Sequence, residues 1–262
     1  MVSVWQNKYL LYMVTKNQID TLYRGSALGL FWAFFTPLLL MGVYTAVFGF
    51  IFQGRFGEVP NEGRVEYALG LFCGLNVFYF FSEIVAKAPT LITSNPNFVK
   101  KVIFPLELFP VATIAIALFH FSIATIPLIL ALLLVQGGLF WTALLLPLPV
   151  AILAILALGL SYIFSALGVF LKDLQNLVGI LITVLLFASA VFYSLDAIPG
   201  VARIFVEQNP LAQIVINARR VLVFGLQPDY FALGQALVVS LLIWAFGRQF
   251  FLAAKPHFSD YL

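Results

Sequence analysis

The residue types that carry most enzyme and metal chemistry are few in this sequence, and they are far apart. There is a single cysteine, Cys73, and the two histidines, His120 and His257, do not have the spacing of a metal-ligand motif. His120 lies within a long uncharged stretch, where a histidine more often hydrogen-bonds to a neighbouring helix than carries protons. The sequence contains no G-x-x-x-x-G-K-[ST], G-x-S-x-G or H-E-x-x-H pattern. We therefore predict that this chain has no catalytic residue, holds no metal or cofactor, and does not bind ATP through a P-loop.

A short basic stretch is the first place where residue types and their spacing indicate a role. Asn95 can cap a helix that begins at Pro96, because proline is well tolerated at the first helical position. Lys100 and Lys101 then fall in the last turn, where positive charge suits the negative end of the helix dipole. The pattern predicts a short basic helix at residues 95–103, between two hydrophobic stretches. A plain cytoplasmic loop that carries positive charge is an equally good interpretation of the residues alone.

A second stretch of interest precedes the last hydrophobic segment, at residues 196–229. Asn209 followed by Pro210 repeats the pattern of a capped helix start. The helix that follows is too short to cross a bilayer, so the stretch predicts two half-helices that dip into the outer leaflet, packed against protein or a water-filled cavity. Arg219 and Arg220 could face an anionic substrate or the lipid headgroups.

The elements that position these residues are long and hydrophobic. Hydrophobic residues make up 63% of the 262-residue chain and charged residues only 10%, whereas a soluble domain is about 25% charged. The sequence therefore predicts an all-α integral membrane protein, and the net charge of +3 indicates an asymmetry between loops rather than nucleic-acid binding. Six transmembrane helices are predicted, at about residues 25–54, 67–81, 174–195 and 230–247, with two more between 108 and 171.

The two chain ends are predicted to lie on the same side of the membrane, because the number of spans is even. Nine of the 14 Lys and Arg residues fall on that side, which the positive-inside rule assigns to the cytoplasm. Aromatic and charged residues recur near helical spacing in residues 1–24, which predicts an amphipathic helix at the membrane interface; a plain cytoplasmic tail is the alternative. Residues 1–262 are predicted to form one transmembrane domain.

Four groups of residues along the chain match the motifs of a known family. They are Tyr23–Gly29 with Phe31-Trp32 and Pro37-Leu38, Asn97–Val102 with Phe104-Pro105 and Glu107–Pro110, Lys172-Asp173, and Asn209–Leu211. Taken together they resemble the permease subunit of ABC-2 type exporters, in the branch that moves polysaccharides and polyol phosphates. The resemblance extends over essentially the whole chain. One departure is Leu106, where the family often has a basic residue before the glutamate, so an ion pair made there by the family is not implied for this chain.

The resemblance implies a partner that hydrolyses ATP and a site that contacts it. The permease would be a homodimer with two copies of a separate P-loop ATPase subunit, which would hold the ATP and Mg²⁺. The helix at residues 95–103 would be a coupling helix in a groove of that subunit, and the helix at residues 1–24 would make a second contact. The residues implied in coupling to the ATPase are Asn95, Asn97, Phe98, Lys100, Lys101 and Arg24.

The resemblance also implies a substrate, a location and a gate. The substrate would be a lipid-linked polysaccharide of the O-antigen, capsule or teichoic acid type, moved across a bacterial cytoplasmic (inner) membrane. The segment 196–229 would gate the exit, with Asn209, Pro210, Arg219 and Arg220 as gate residues. The alternatives are an exporter of small lipids or drugs from the same superfamily, a membrane-embedded enzyme that acts on lipid-linked sugars, and a channel without an ATPase.

Aromatic residues in the first two spans are candidates for the lining of a sugar pathway. Sugars present hydroxyl groups that need hydrogen bonds and C–H faces that stack on aromatic rings, and Phe, Tyr and Trp make up 16% of this chain. Trp32, Phe35, Tyr44 and Tyr79 are therefore predicted to line the pathway. The same rings could instead face lipid or pack between helices, and the sequence leaves both interpretations open.

Overall fold

The computed structural model describes residues 7–23, 31–51, 55–60, 62–100 and 104–261. Within these residues the chain is helical and has no β-strand, so the all-α membrane fold predicted from the composition is confirmed. The α-helices of this part of the chain are α1 (Lys8–Tyr23), α2 (Phe31–Tyr44), α3 (Arg64–Lys87), α4 (Pro96–Lys100), α5 (Leu108–Gln136), α6 (Pro147–Phe170), α7 (Leu174–Ala188), α8 (Gly200–Glu207), α9 (Pro210–Leu222), α10 (Tyr230–Ala254) and α11 (Phe258–Tyr261).

Five helical segments in the described residues are long and apolar enough to cross a membrane. They are Phe31–Phe48, Arg64–Thr90, Leu108–Gln136, Trp141–Phe170 and Tyr230–Tyr261. The first begins as α2 and continues as a π-helix from Thr45, and the fourth begins with a 3₁₀-helix ahead of α6. The sequence Gln136-Gly137-Gly138 predicts a tight turn between the third and fourth spans. This turn is present, because Gly137 ends α5 in a left-handed conformation with a φ of +73°. The protein therefore crosses the membrane several times.

The predicted fifth span is helical over only part of its length. The sequence predicts residues 174–195, but α7 has 15 residues and ends at Ala188. At 1.5 Å per residue such a helix is about 22 Å long, which is less than the ~30 Å hydrocarbon thickness. Ala190 takes a φ of +52°, which a helix does not accommodate. The rest of this segment is non-helical backbone, whose carbonyl groups need partners elsewhere in the protein.

Helix α3 lies at the centre of the bundle. Its residues from Tyr67 to Phe78 are all buried, and it contacts α2, α5, α6, α7 and α9. Gly70 and Gly74 bring it close to α9, because a Cβ at either position would press on side chains of that helix at 3.1–3.3 Å. Helices α6 and α10 approach in the same way at Gly159. Small residues at such crossings allow the close backbone packing that holds membrane helices together.

Both ends of the described chain lie at the end of the bundle that carries the loop between α3 and α5, hereafter the loop end. Val14 of α1, Leu91 of the loop and Phe258 of α11 belong to one hydrophobic cluster, and α11 contacts α4. The even number of membrane crossings stays a prediction. The cytoplasmic location of this end stays a prediction. The opposite end, which carries α8 and α9, is hereafter the half-helix end.

Two short helices, α8 and α9, precede the last span where the sequence predicts two half-helices. Asn209 caps α9, since its side-chain oxygen accepts a hydrogen bond from the Leu211 N–H at 3.0 Å. Most of α9 is buried, because it packs against α3, α6 and α10. A helix of this length cannot cross a bilayer. That α8 and α9 dip into the outer leaflet stays a prediction.

Candidate functional site

The loop between α3 and α5 contains a short helix, as the sequence predicts. The described helix, α4, covers Pro96–Lys100 of the predicted range 95–103. The side chain of Asn95 does not cap it: the amide donates a hydrogen bond to the Leu91 carbonyl at 3.0 Å, one turn earlier in the chain. That part of the prediction is wrong, because this hydrogen bond holds the side chain against the preceding turn, and no backbone N–H of the described residues donates to its oxygen. Asn97 is exposed on the surface of the loop.

Phe98 attaches the exposed helix to the protein. Its side chain is 37% exposed, and its ring packs edge-on against Phe104 at 4.9 Å and Phe109 at 5.6 Å between centroids. Some predicted coupling groups lie outside the described residues: Arg24, Lys101 and the side chain of Lys100. The described part of the loop thus combines an exposed helix with an aromatic anchor at the start of α5.

The loop is packed firmly onto the bundle. Ala88 and Ile92 are fully buried, and the backbone of Pro89 touches α6 at Gly168, where any side chain would collide with the Pro89 carbonyl. Lys255 near the chain end forms an ion pair with Glu107 at 2.9 Å. The loop is therefore fixed to α3, α5 and α6 together.

A pocket of about 360 Å³ lies between α2, α3 and α5. Of the four aromatic residues predicted to line a pathway, Trp32 and Tyr79 line this pocket. The Tyr44 hydroxyl lies 3.1 Å from the Tyr79 hydroxyl, and the Phe35 ring packs edge-on against Trp32 at 6.0 Å. The structure therefore brings all four residues into one neighbourhood, two of them at the pocket wall. Their role in transport stays a prediction.

Polar side chains lie at the same pocket wall. Glu83 of α3 is within 2.9 Å of His120 Nδ1 on α5 and accepts a hydrogen bond from Lys87 Nζ at 2.7 Å. The expectation that His120 binds a neighbouring helix is confirmed. Its partner could not be foreseen, because 37 residues separate the two side chains in sequence. No group of three or more His, Cys, Asp and Glu side chains in the described residues is placed to hold a metal ion.

Arg219, at the half-helix end, is buried. Its side chain is only 2% exposed, and its guanidinium lies 3.5 Å from the centroid of the Phe56 ring. Nη2 donates hydrogen bonds to the carbonyl oxygens of Ala190 at 3.0 Å and Val191 at 3.3 Å. Burial lowers the pKa of Arg219 to about 10, so the group is still charged at neutral pH. Arg219 is therefore enclosed by protein in this structure, and a role facing a substrate or the headgroups stays a prediction.

The neighbouring arginine has a different environment. Arg220 is about one-third exposed and forms an ion pair with Glu58 at 3.1 Å, in reach of solvent. The two adjacent arginines are thus a structural and a surface residue.

Glu62 is a buried acid at the same end of the molecule. Its carboxylate accepts hydrogen bonds from the backbone N–H groups of Phe56 at 2.8 Å and Gly57 at 2.7 Å. Burial raises the pKa of the Glu62 carboxyl above its ordinary value, although the two backbone hydrogen bonds oppose the shift.

The contacts of Arg219 belong to a wider arrangement around the broken end of α7. The Asn209 amide donates to the Ala188 carbonyl at 2.9 Å, and the Tyr67 hydroxyl donates to the Phe192 carbonyl at 2.9 Å. Carbonyl groups freed by the end of a membrane helix must find such partners inside the protein. The fifth span, α9 and α3 therefore form one unit at the half-helix end. Asn209 and Arg219 both belong to that unit. Their role in an exit gate stays a prediction.

Comparison with known proteins gives a match over most of the chain. Residues 9–223 match the family described as ABC-2 type transporter. The O-antigen export system permease protein RfbA of Myxococcus xanthus is 29% identical over 98% of this chain and 97% of its own length. The protein of the same name from Klebsiella pneumoniae is 26% identical over 97% and 95%. The polysialic acid transport protein KpsM of Escherichia coli is 26% identical over 84% and 82%.

Proposed function

This chain belongs to the ABC-2 type transporter family, and we propose that it is the channel-forming permease subunit of an ATP-driven exporter of lipid-linked polysaccharide. The observation that carries the proposal is the nearly full-length similarity to proteins named for O-antigen export and for polysialic acid transport. The substrate would be a polymer of the O-antigen, capsule or teichoic acid type. The membrane would be the bacterial cytoplasmic membrane, with both chain ends in the cytoplasm.

The energy for export would come from a second protein. The sequence has no P-loop, and an ABC-type exporter needs a nucleotide-hydrolysing subunit. We propose a homodimer of this chain with two copies of a P-loop ATPase, whose ATP and Mg²⁺ would never contact the membrane helices. The exposed face of α4, with Asn97 and Phe98, together with Arg24, Lys100 and Lys101, would be the contact with that subunit.

The packing of the loop supports a mechanical role for α4. Closure of the ATPase on ATP would press on α4, and the aromatic anchor at Phe98 would transmit the displacement to the start of α5. Because Pro89 also lies directly against Gly168 of α6, the loop cannot yield without moving the helices around it. A rigid connection of this kind is what a push from a partner requires, whereas a flexible loop would absorb it.

The proposal is tested by isolating the protein from its own host. A tagged chain extracted in mild detergent should carry a P-loop ATPase, identified by mass spectrometry, and the complex should hydrolyse ATP. Deletion of the gene should leave lipid-linked polymer on the inner face of the cytoplasmic membrane. Isolation of the chain alone, with normal surface polymer in the deletion strain, would contradict the proposal. Loss of drug or phospholipid export with normal polymer would favour the small-substrate alternative.

The same preparation tests the role of α4. Phe98→Ala combined with Lys100→Glu and Lys101→Glu should reduce export by about tenfold or more and leave membrane insertion unchanged. Phe231→Ala is the matched control, because Phe231 is an exposed ring at 77% at the start of α10, at the half-helix end. Normal export by the triple variant would contradict a coupling role for α4, even if the ATPase is bound.

A further inference from the structure

The pocket between α2, α3 and α5 contains a hydrogen-bond acceptor that no described residue uses. Asn76 of α3 lines the pocket and is 6% exposed. Its amide nitrogen donates to the Thr125 hydroxyl at 2.9 Å and lies 3.5 Å from the Phe121 carbonyl. Its amide oxygen accepts no hydrogen bond within the described part of the chain. An amide oxygen without a partner in a membrane helix is costly unless a ligand or water fills the space beside it.

The direction of the amide is fixed by its neighbours. The Thr125 hydroxyl donates to the Phe121 carbonyl at 2.7 Å, so this hydroxyl can only accept from Asn76. The nitrogen of Asn76 must therefore point to Thr125, and its oxygen must point away from α5. Exchange of the oxygen and nitrogen positions would place the amide oxygen beside the Phe121 carbonyl oxygen, and the one hydroxyl hydrogen of Thr125 could serve only one of these two acceptors. The free oxygen is thus a consequence of the hydrogen-bond network.

The charged group in the pocket is already balanced. Glu83 lines the pocket and is paired with Lys87 at 2.7 Å and with His120 at 2.9 Å. A free cation would compete with these two partners for the carboxylate, and an anion would compete with the carboxylate for the same two partners. The two oxygens of Glu83 can still accept further hydrogen bonds from a neutral ligand, because a carboxylate offers about four acceptor positions.

The remaining wall is aromatic and has a polar edge. Trp32 is 43% exposed and Tyr79 is 44% exposed, and both line the pocket. One of the two hydroxyl groups of Tyr44 and Tyr79 donates a hydrogen bond to the other. The accepting hydroxyl keeps its own hydrogen, which it can donate to a ligand. A ligand that fits must therefore offer a flat apolar face to the rings and hydroxyl groups to the acceptors. A lipid tail would leave the acceptors of Asn76 and Glu83 unsatisfied.

We propose that this pocket is a binding subsite for one neutral sugar ring, with Asn76 Oδ1 and Glu83 as acceptors for its hydroxyl groups. The inference rests on the proposed function and narrows it to a place in the molecule. The volume of about 360 Å³ is at the small end of the range for ligand pockets, about 300–1,000 Å³, so the subsite holds a single ring. The C–H face of that ring stacks on Trp32 or Tyr79.

The proposal is tested by tryptophan fluorescence of the complex in lipid nanodiscs. Trp5, Trp141 and Trp244 are replaced by phenylalanine, so that Trp32 is the only tryptophan of this chain. A matched Trp32→Phe protein gives the signal of the other proteins in the sample, which is subtracted. The probes are methyl glycosides of mannose, galactose and N-acetylglucosamine, which stand for units of a polymer, and octyl glucoside, which stands for a sugar attached to a lipid. At least one glycoside should change the emission of Trp32 in a saturable way. Binding of octyl glucoside alone would assign the subsite to the lipid-attached sugar.

Three variants separate a sugar site from a packing effect. Asn76→Leu should weaken glycoside binding about tenfold, the effect of losing one good buried hydrogen bond. Tyr79→Phe keeps the ring, loses only the hydroxyl, and should weaken binding by a smaller factor. Asn176→Leu makes the Asn76 change at an exposed position at the start of α7 and should bind as the parent does. Size-exclusion profiles verify that each complex is assembled.

Several results would overturn the subsite. They are an unchanged Trp32 signal with every glycoside, equal affinity in the Asn76→Leu and parent proteins, and stronger quenching by cyclohexane or by phosphate than by any sugar. Export of polymer is measured in the same strains. If the ATPase co-purifies and export is normal while no glycoside binds, the subsite is wrong and the proposed function stands. If the ATPase is missing and no polymer accumulates in the deletion strain, the proposed function fails and the subsite with it.

Discussion

Replacement of Arg219 by methionine tests whether the broken end of α7 depends on a buried charge. Methionine is unbranched and of similar length, so it fills most of the space between Gly70 and Gly74 and leaves only a small cavity. The substitution removes the two hydrogen bonds to the carbonyls of Ala190 and Val191. It also removes the guanidinium from the Phe56 ring. The change therefore isolates the polar contribution of this side chain.

The magnitude follows from the burial of the group. Hydrogen bonds from a charged donor contribute about 1.5–3 kcal/mol each, and a desolvated cation–π contact contributes about 2 kcal/mol. Against them stands the cost of burying the charge, which the variant no longer bears. The Ala190 and Val191 carbonyls left buried without a donor cost about 1–3 kcal/mol each, so the free energy of unfolding should fall by about 2–6 kcal/mol. We expect a loss in that range for Arg219→Met.

The matched control is the next residue along the chain. Arg220→Met removes an ion pair with Glu58 in which both side chains are partly exposed, and such pairs contribute about 0.2–1 kcal/mol. The free energy of unfolding is measured for both variants by denaturant titration in the same detergent, with tryptophan emission as the signal. Equal losses in the two variants, or a loss below about 1 kcal/mol for Arg219→Met, would refute the assignment of Arg219 as a structural residue.

Two further predictions concern the loop end and the buried acid. Gly168→Ala should reduce export and the thermal stability of the complex, because its Cβ would collide with the Pro89 backbone, whereas Gly179→Ala, which meets nothing within 4 Å, should change neither. Glu62 has a pKa raised by burial above 4.5, so the folded state holds its proton more tightly than the unfolded state. The free energy of unfolding of the parent, relative to that of Glu62→Gln, should therefore fall as the pH rises from 4.5 through the pKa of the folded state, and then stay constant. Melting curves recorded over this pH range measure the difference. A relative stability that rises with pH would contradict the raised pKa.

Much of the architecture could be predicted from local patterns. Long uncharged stretches mark the spans, since a bilayer demands about 20 apolar residues per crossing. The Asn209-Pro210 pair predicts the start of α9, and the side chain of Asn209 caps that helix as expected. Gly137 ends α5 where the sequence predicts a turn. In each case the information lies within a few residues, because caps and turns are decided by the backbone of their immediate neighbours.

The candidate site could be predicted only in part, because its contacts join distant residues. Trp32 and Tyr79 could be chosen as lining residues because they are aromatic. The free amide oxygen of Asn76 could not be predicted, because its direction depends on Thr125, 49 residues away. Arg219 and Arg220 are adjacent and of the same type, and their sequence gives no reason to bury one and expose the other. The difference arises because α9 places Arg219 against the gap left by α7 at Ala190.

Helix α3 is the element that connects the two ends of the molecule. At the loop end it leads directly into the buried residues Ala88 and Pro89. Nearer the half-helix end, its Gly74 packs so closely on Arg219 that an added Cβ would lie 3.1 Å from the guanidinium. Its 24 residues form a rod of about 36 Å. A helix this well packed cannot bend to absorb a displacement, because interiors at native density transmit strain. A push received by the loop through α4 would therefore reach α9 and the broken end of α7 as a movement of α3, whose middle section carries Asn76.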